Sequence, residues 1–383
     1  MLIEIIKSTT NKIINFLEEI TKEKYWGIKI TFISFFLSLF FAFPSYDIYI
    51  KGEFKENWNS INEQIQNPFE KKDYTPTTHM ANTTFRLTVP IIAKVLGFKE
   101  HRILILQIIA LVLFFYFAAM LFKIITNDLV SASLATLGLA FIFPGNVLVS
   151  DLRGLFDGIA YCFILGAMYS KNPFLIFLFT ILSSFTDERA LIASCLVFLW
   201  FNLISNDFNN FKFLTFFKFN SKIISIFIAW ITYFVIRFYL QYKLGFNIGT
   251  GMGLGLAKEQ INNIPFGIWT GLEGFWILII LSLIIILKKN IWSFLIIYSS
   301  FMLTITIISI SLTDITRSMA YILPAIFISL YILKEYEDKN FIRYLTLFVL
   351  IICFFFPTYY AGGKDTINLF LPFPFQLIRM IFG

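Results

Sequence analysis

Long apolar runs alternate with short polar connections along the whole chain, and this pattern predicts membrane-spanning helices. Because about 20 apolar residues in helical form cross the hydrocarbon core of a bilayer, we expect about 11 transmembrane helices. The runs lie at residues 27–43, 101–124, 127–149, 155–169, 173–186, 189–205, 222–240, 270–288, 291–311, 318–334 and 341–358. The predicted fold is therefore all-α, that of a polytopic helical membrane protein.

The segments outside these runs predict surface helices and loops. Residues 1–26 mix charged and apolar positions at helical spacing, which favours an amphipathic helix on the inner membrane surface. Residues 27–383 would then form a single transmembrane domain with outer loops at 44–100 and 241–269. The apolar spacing between residues 51 and 70 predicts a membrane-parallel helix inside the first outer loop. The second loop is rich in glycine, as expected of a flexible loop that gates a substrate.

Composition and charge narrow the class of protein. With 58% hydrophobic and only 14% charged residues, the chain cannot be a soluble globule. Its net charge of +7 comes mostly from lysines in the predicted inner connections, which places the N-terminus in the cytoplasm and indicates no nucleic-acid partner. We expect a multi-pass protein of the inner (plasma) membrane. The three cysteines lie in apolar runs without CxxC spacing, and we expect neither a metal nor another cofactor.

Acids and arginines gather in the predicted outer connections. Charged groups next to hydrocarbon are costly unless they pair or face a cavity, so this convergence indicates a site for an anionic, lipid-borne substrate. The candidate site residues are Asp47, His79, Arg86, Asp151, Arg153, Asp157, Asp187, Glu188, Arg189 and Arg317.

Asp47 follows the proline that ends the first run and has the chemistry of a general base for an acceptor hydroxyl. The alternative is a polar residue that ends a helix at the headgroup level. His79 is a candidate proton carrier, or a solvated loop histidine. Arg86 lies where the first outer loop returns to the bilayer.

The segments SDLRGLFDG and FTDERAL place arginines beside acids between two apolar runs. The guanidinium groups of Arg153 and Arg189 suit bidentate phosphate binding. The alternatives are a local Asp–Arg pair that closes a hairpin, and Thr186 or Asp187 as the N-cap of the next helix. Arg317 lies three residues after Asp314 on one helix face, where a local ion pair is the simpler interpretation.

In the placement of these residues the chain resembles the GT-C superfamily of polytopic membrane glycosyltransferases, in particular its mannosyltransferase-like branch. In that superfamily an essential acid follows the first span and membrane-parallel helices follow the acid, which Asp47 and the loop to Lys99 match. RLTVPIIAKVLG, DGIAYCFILGAM and DERALIASCLVFLW resemble later motifs of that branch. YDIY and DITRSMAY also resemble polysaccharide polymerases of the O-antigen type.

The resemblance implies a glycosyltransferase that moves a sugar from a polyprenyl-phosphate-linked donor to an acceptor glycan or lipid on the extracytoplasmic face. Asp47 would be the base, while Arg153, Arg189 and Arg317 would bind the carrier phosphate. The four acids Asp151, Asp157, Asp187 and Glu188 would orient these arginines or the acceptor. A transporter or flippase of lipid-linked glycans, a polysaccharide polymerase and a non-catalytic assembly subunit remain as alternatives.

Overall fold

The computed structural model describes residues 2–22, 24–71, 83–99, 102–206, 208, 211–213, 220–246, 254–362 and 366–382. This part of the chain is helical apart from one short β-hairpin, so the prediction of an all-helical fold is confirmed. The candidate proton carrier His79 lies outside the described residues, as does the GTGMG stretch of the glycine-rich loop.

The elements follow the apolar pattern closely. The helices before the middle of the chain are α1 (Leu2–Thr21), α2 (Trp26–Phe41), α3 (Tyr46–Ile50), α4 (Lys55–Gln66), α5 (Thr88–Leu96), α6 (Ile103–Thr126), α7 (Leu129–Leu139), α8 (Phe143–Ser150), α9 (Asp157–Tyr169) and α10 (Pro173–Thr186). The later helices are α11 (Glu188–Ser205), α12 (Ser221–Leu244), α13 (Leu254–Glu259), α14 (Ile264–Leu272), α15 (Trp276–Lys288), α16 (Trp292–Ile310), α17 (Ile315–Met319), α18 (Pro324–Tyr336), α19 (Lys339–Phe355) and α20 (Phe373–Phe382). Strands β1 (Tyr359–Gly362) and β2 (Thr366–Leu369) pair antiparallel between α19 and α20.

Fewer of these helices can cross a bilayer than the sequence pattern predicts. Within the described residues, six are long and apolar enough, namely α6, α11, α12, α14 with α15, α16, and α17 with α18. The bent pair α7 and α8, whose axes differ by 53°, would make a seventh. The prediction of about 11 full spans is not confirmed, because α2, α9, α10 and α19 have only 16, 13, 14 and 17 residues. Whether α4 and α5 lie parallel to a membrane stays a prediction.

The bend between α7 and α8 touches the 3₁₀ turn inside the span formed by α14 and α15. The α7–α8 joint depends on Gly145, because a Cβ there would lie 2.0 Å from the Leu139 carbonyl oxygen. The joint between α14 and α15 is a 3₁₀ turn at Glu273–Phe275. A Cβ on Gly138 of α7 would lie 3.0 Å from the Phe275 ring. The two joints therefore pack closely on each other inside the bundle.

The segment formed by α17 and α18 runs through the centre of the bundle. Of its most apolar stretch, 94% is buried inside the protein, compared with 33% for α12, whose Phe238 and Tyr242 are exposed. An apolar outer helix with an exposed aromatic face is what contact with lipid requires. The buried central segment begins beside Arg317, so a charged side chain enters the packed interior at one end of the bundle.

At the opposite end of the bundle, ion pairs among three charged side chains join α1, α7 and α19. Asp128 caps α7, and its two carboxylate oxygens each accept a 2.8 Å hydrogen bond from Arg343 of α19. Arg343 also bonds to Glu18 of α1 at 2.6 Å. Partial burial raises the pKa of Asp128, but hydrogen bonds from Arg343 and Ser131 outweigh it and hold this pKa well below its ordinary value.

The ion pair between Asp128 and Arg343 predicts a loss of stability in acid. Because the folded-state pKa of Asp128 lies below its unfolded value, its contribution is present above about pH 4 and is lost as the pH falls further. We expect the unfolding temperature in detergent to fall more steeply between pH 5 and pH 3 for the wild type than for Asp128→Asn, which keeps the cap. Glu335→Gln, at an exposed acid, is the control and should follow the wild type. Equal slopes for all three proteins would contradict the assignment.

Candidate functional site

Three chain connections that are distant in sequence bring their charges together at one end of the bundle. Asp157 begins α9, Asp187 precedes α11 and Arg317 lies on α17. The side chains of the two acids are fully buried, and that of Arg317 is 3% exposed. We call this group, together with Arg86 and Arg189, the charge cluster.

Asp187 is the centre of the charge cluster. Its carboxylate accepts two hydrogen bonds from the Arg189 guanidinium, at 2.8 and 2.7 Å, and a 3.0 Å ion pair joins it to Arg86. The Arg189 backbone N–H also donates to this carboxylate at 2.9 Å, so Asp187 is the N-cap of α11. The capping and ion-pair interpretations of FTDERAL therefore apply at the same carboxylate.

Asp157 links this pair to α17. One of its oxygens accepts a 2.7 Å hydrogen bond from Arg189, and the other accepts from Nε of Arg317. Arg189 also donates to Ser318 at 2.7 Å, and the Tyr161 hydroxyl donates to the backbone carbonyl of Arg317 at 2.7 Å. Helices α9, α11 and α17 are thus held together by buried charge-assisted hydrogen bonds.

The outer side of Arg317 meets the C-terminal hairpin. Nη1 of Arg317 lies 2.8 Å from the Asp314 carboxylate, which is the local pair that the three-residue spacing predicts. The Tyr360 hydroxyl of β1 donates to the same carboxylate. Glu188 lies at the edge of the charge cluster, 3.5 Å from Arg86 and 22% exposed.

The charge cluster keeps spare hydrogen-bond donors. Nη2 of Arg317 is buried, lies 3.8 Å from Asp187, and has no hydrogen-bond partner within the described part of the chain. Nη1 of Arg86 is likewise buried without a hydrogen-bond partner there, and Nε of Arg86 makes no hydrogen bond there beyond its 3.5 Å ion pair with Glu188. Since an unmet buried donor costs about 1–3 kcal/mol, such groups favour an additional acceptor.

A cavity of about 210 Å³ opens beside the charge cluster. Five charged residues of the described part of the chain line it. Asp157 and Arg317 belong to the charge cluster, Asp151 and Arg153 to the turn before α9, and Arg379 to α20. The remaining lining residues are Phe43, Ser45, Ile48, Phe54, Phe143, Val147, Ser150, Leu152, Leu155, Tyr360, Leu369, Phe370, Leu371 and Gln376. The cavity therefore combines three guanidinium groups with aromatic walls.

Asp47 lies next to this cavity but does not line it. Its carboxylate is held by Arg379, whose Nη2 lies 2.9 and 3.1 Å from the two oxygens, and by Gln376 at 3.2 Å. Slight burial raises the pKa of Asp47, but the hydrogen bond and charge of Arg379 outweigh it and lower this pKa below its ordinary value. Since Gln376 and Arg379 do line the cavity, the Asp47 carboxylate is one side chain away from it.

The turn before α9 separates the two residues that the sequence suggested as a pair. The Asp151 carboxylate accepts hydrogen bonds from the backbone N–H groups of Arg153, Leu155 and Phe156, at 2.9, 3.0 and 3.2 Å. The Arg153 guanidinium is instead 5.6 Å from the ring centre of Phe54. Asp151 thus shapes the turn, while Arg153 is left exposed at the cavity.

The structure therefore groups the sequence candidates into three sets. Arg86, Asp157, Asp187, Glu188, Arg189 and Arg317 form one network. Asp151 and Arg153 form the second set and line the cavity, whereas Asp47, the third, is joined to the cavity only through Gln376 and Arg379. Sequence reasoning missed Tyr360, Gln376 and Arg379; the amphipathic pattern of α20 is a local signal for Gln376 and Arg379 but not for Tyr360, which lies in β1.

The last two observations concern metal ligands and similarity to known proteins. Among the described residues no group of three or more His, Cys, Asp or Glu side chains is placed to hold a metal ion. Comparison with protein-family models, curated proteins and solved structures finds no match to this chain.

Proposed function

We propose that the protein is a membrane glycosyltransferase that takes a sugar from a polyprenyl-phosphate-linked donor. The observation that carries this proposal is the cavity at one end of the bundle, where Arg153, Arg317 and Arg379 surround a space with aromatic walls. Guanidinium groups bind phosphate oxygens through two parallel hydrogen bonds. The aromatic side chains offer apolar faces to a sugar ring or to an isoprenoid chain.

The lysine distribution supports an extracytoplasmic position for this site. Lysines lie at the helix ends opposite the cavity, among them Lys123 at the end of α6, Lys288 at the end of α15 and Lys334 at the end of α18. Short connections rich in lysine stay on the cytoplasmic side. This orientation puts the N-terminus in the cytoplasm and the cavity on the outer face of the plasma membrane.

Arg379 gives Asp47 a conditional role in the proposed reaction. While Arg379 holds both oxygens of Asp47, that carboxylate cannot take a proton from an acceptor. A donor phosphate in the cavity would compete for the same guanidinium and release Asp47. The acceptor oxygen would then attack the anomeric carbon, its proton would pass to Asp47, and the bond between that carbon and the phosphate oxygen would break. The polyprenyl phosphate would leave with the electron pair, stabilised by Arg317 and Arg153.

A transporter of lipid-linked glycans is the second candidate, and one feature favours it. Membrane transporters often bind substrates and ions where spanning helices are interrupted. Here the α7–α8 and α14–α15 joints lie together, and the second carries the buried acid Glu273. A transporter would move the intact lipid-linked sugar across a vesicle membrane, whereas a transferase would release polyprenyl phosphate.

Binding of the carrier lipid tests the cavity directly. We expect undecaprenyl phosphate to raise the unfolding temperature of the purified full-length protein, and undecaprenol, which lacks the phosphate, to leave it unchanged. Arg153→Gln should weaken this binding by about 10-fold or more, because a charge-assisted hydrogen bond is worth about 1.5–3 kcal/mol. Lys171→Gln, at an exposed lysine between α9 and α10, is the control and should bind as the wild type does. Equal stabilisation by the two lipids would contradict a phosphate site.

A further inference from the structure

A carboxyl group without a partner lies inside one of the membrane-spanning segments. Glu273 lies in the 3₁₀ turn that joins α14 to α15, within the apolar span Ile264–Lys288. Its side chain is fully buried, and neither carboxyl oxygen has a hydrogen-bond partner among the residues that the structure describes. It is distant in sequence from the charge cluster and is not among the residues that line the cavity.

The backbone is strained at the residue that carries this carboxyl. Glu273 has φ 47° and ψ −124°, a conformation that residues with a side chain rarely adopt. The turn packs tightly on α19, because a Cβ on Gly274 would lie 2.9 Å from the Val349 carbonyl oxygen and 3.0 Å from Sγ of Cys353. Strained residues that the surrounding packing over-determines are concentrated at functional sites.

In the part of the chain that the structure describes, the groups that face Glu273 carry no compensating charge. The turn packs against α14, α15 and α19, and Phe275 reaches Gly138 of α7. Helices α7 and α14 contain no titratable residue. On α15 the basic residue is Lys288, about four helical turns away. On α19 the Cys353 thiol lies beside the turn, while Lys339, Arg343 and Tyr344 lie near the opposite end of that helix.

We propose that Glu273 is a proton-binding site in the membrane interior, where the carboxyl group carries its proton and exchanges it with water. An isolated carboxylate without hydrogen bonds would be very costly at this depth, and protonation removes its charge. A metal cation would need several oxygen ligands, and no group of three acidic, histidine or cysteine side chains is placed to hold one in the described part of the chain.

Glu273 lies at the end of α14, and α14 packs directly on α17, the helix that carries Arg317. Helix α14 packs on α17 without room for side chains at two points, because a Cβ on Gly267 would lie 2.6 Å from Ile315 and one on Gly271 would lie 2.7 Å from Met319. Loss of the proton would place a charge at the joint that fixes the direction of α14. The site is therefore placed to couple proton exchange to the position of α17.

Infrared difference spectroscopy tests the protonation state. We expect the spectrum of wild type minus Glu273→Gln, in the full-length protein at pH 7, to contain the carbonyl stretch of a protonated carboxylic acid. We expect this band to shift after transfer to deuterated water. Glu259→Gln, at an exposed acid of α13, should instead remove carboxylate bands. Carboxylate bands at Glu273 would overturn the proposal, and a protonated band that never shifts would show a buried acid that exchanges no proton.

A second measurement needs no variant at this position. A membrane-soluble carbodiimide adds to a protonated carboxyl, whose oxygen bonds to the central carbon while the proton moves to nitrogen; the adduct then rearranges to a stable acylurea without a leaving group. We expect peptide mass spectrometry to find this adduct on Glu273 at pH 7 and at pH 8, with Glu259 unmodified. An unmodified Glu273 at both pH values would count against the proposal. Neither result depends on glycosyl transfer.

Discussion

Asp187→Asn is expected to lower the free energy of unfolding by roughly 3–5 kcal/mol, the usual cost of removing one partner from a buried ion pair. Asparagine keeps an oxygen for the helix cap but removes the charge. The guanidinium groups of Arg86 and Arg189 would then share a buried site with one fewer anion. The loss is expected to be large because the Asp187 side chain is fully buried and its two oxygens accept from both the backbone and the side chain of Arg189.

The measurement is reversible unfolding in mixed detergent, with the adjacent acid as a matched control. Glu188 is partly exposed and lies 3.5 Å from Arg86, so Glu188→Gln should cost less than about 1 kcal/mol. If Asp187→Asn were as stable as Glu188→Gln, the charge cluster would not support the fold. If both variants were strongly destabilised, an acid at the start of α11 would stabilise the protein whether or not its side chain is buried.

Asp47→Asn is expected to reduce sugar transfer by about 10²-fold or more, the usual scale for a positioned general base, while the unfolding temperature stays near that of the wild type. The carboxylate is partly exposed and its pair with Arg379 lies at the surface of the cavity, so little stability depends on it. Transfer is measured as release of undecaprenyl phosphate from lipid-linked sugars in detergent.

Glu53→Gln serves as the matched control, because Glu53 is an exposed acid a few residues further along the same segment. It should leave transfer unchanged. Full activity of Asp47→Asn at normal stability would remove Asp47 from the reaction. Asp157 would then be the next candidate base, since its carboxylate lines the cavity beside Arg317.

The apolar pattern predicted where helices occur better than how many cross a bilayer. Most predicted runs match a helix to within a few residues, such as 173–186 with Pro173–Thr186. The number of spans depends on length, and α9, with 13 residues, is too short to cross alone. The bend between α7 and α8 was not predicted because the run 127–149 stays apolar through the joint, although Pro144 and Gly145 in the first turn of α8 are a local signal for a break.

Local sequence predicted the neighbouring ion pairs but not the distant ones. The three-residue spacing of Asp314 and Arg317 implies their contact. Nothing local implies that Arg379 holds Asp47, since 332 residues separate them. Glu273 was not singled out although it lies inside the predicted run 270–288, because nothing local shows that its carboxyl is buried without a hydrogen-bond partner among the described residues. Burial and pairing across the fold are tertiary properties that a single sequence does not display.

The shortness of α9 sets the depth at which the site lies. A helix of 13 residues is about 20 Å long, while the hydrocarbon core of a bilayer is about 30 Å thick. If the Tyr169 end of α9 lies at one boundary of that core, the proposed site at Asp157 would be about 10 Å below the opposite boundary. A phosphate that reaches Arg317 would leave the headgroup plane, where mobile counter-ions screen charge. Its attraction to the site would therefore depend only weakly on ionic strength.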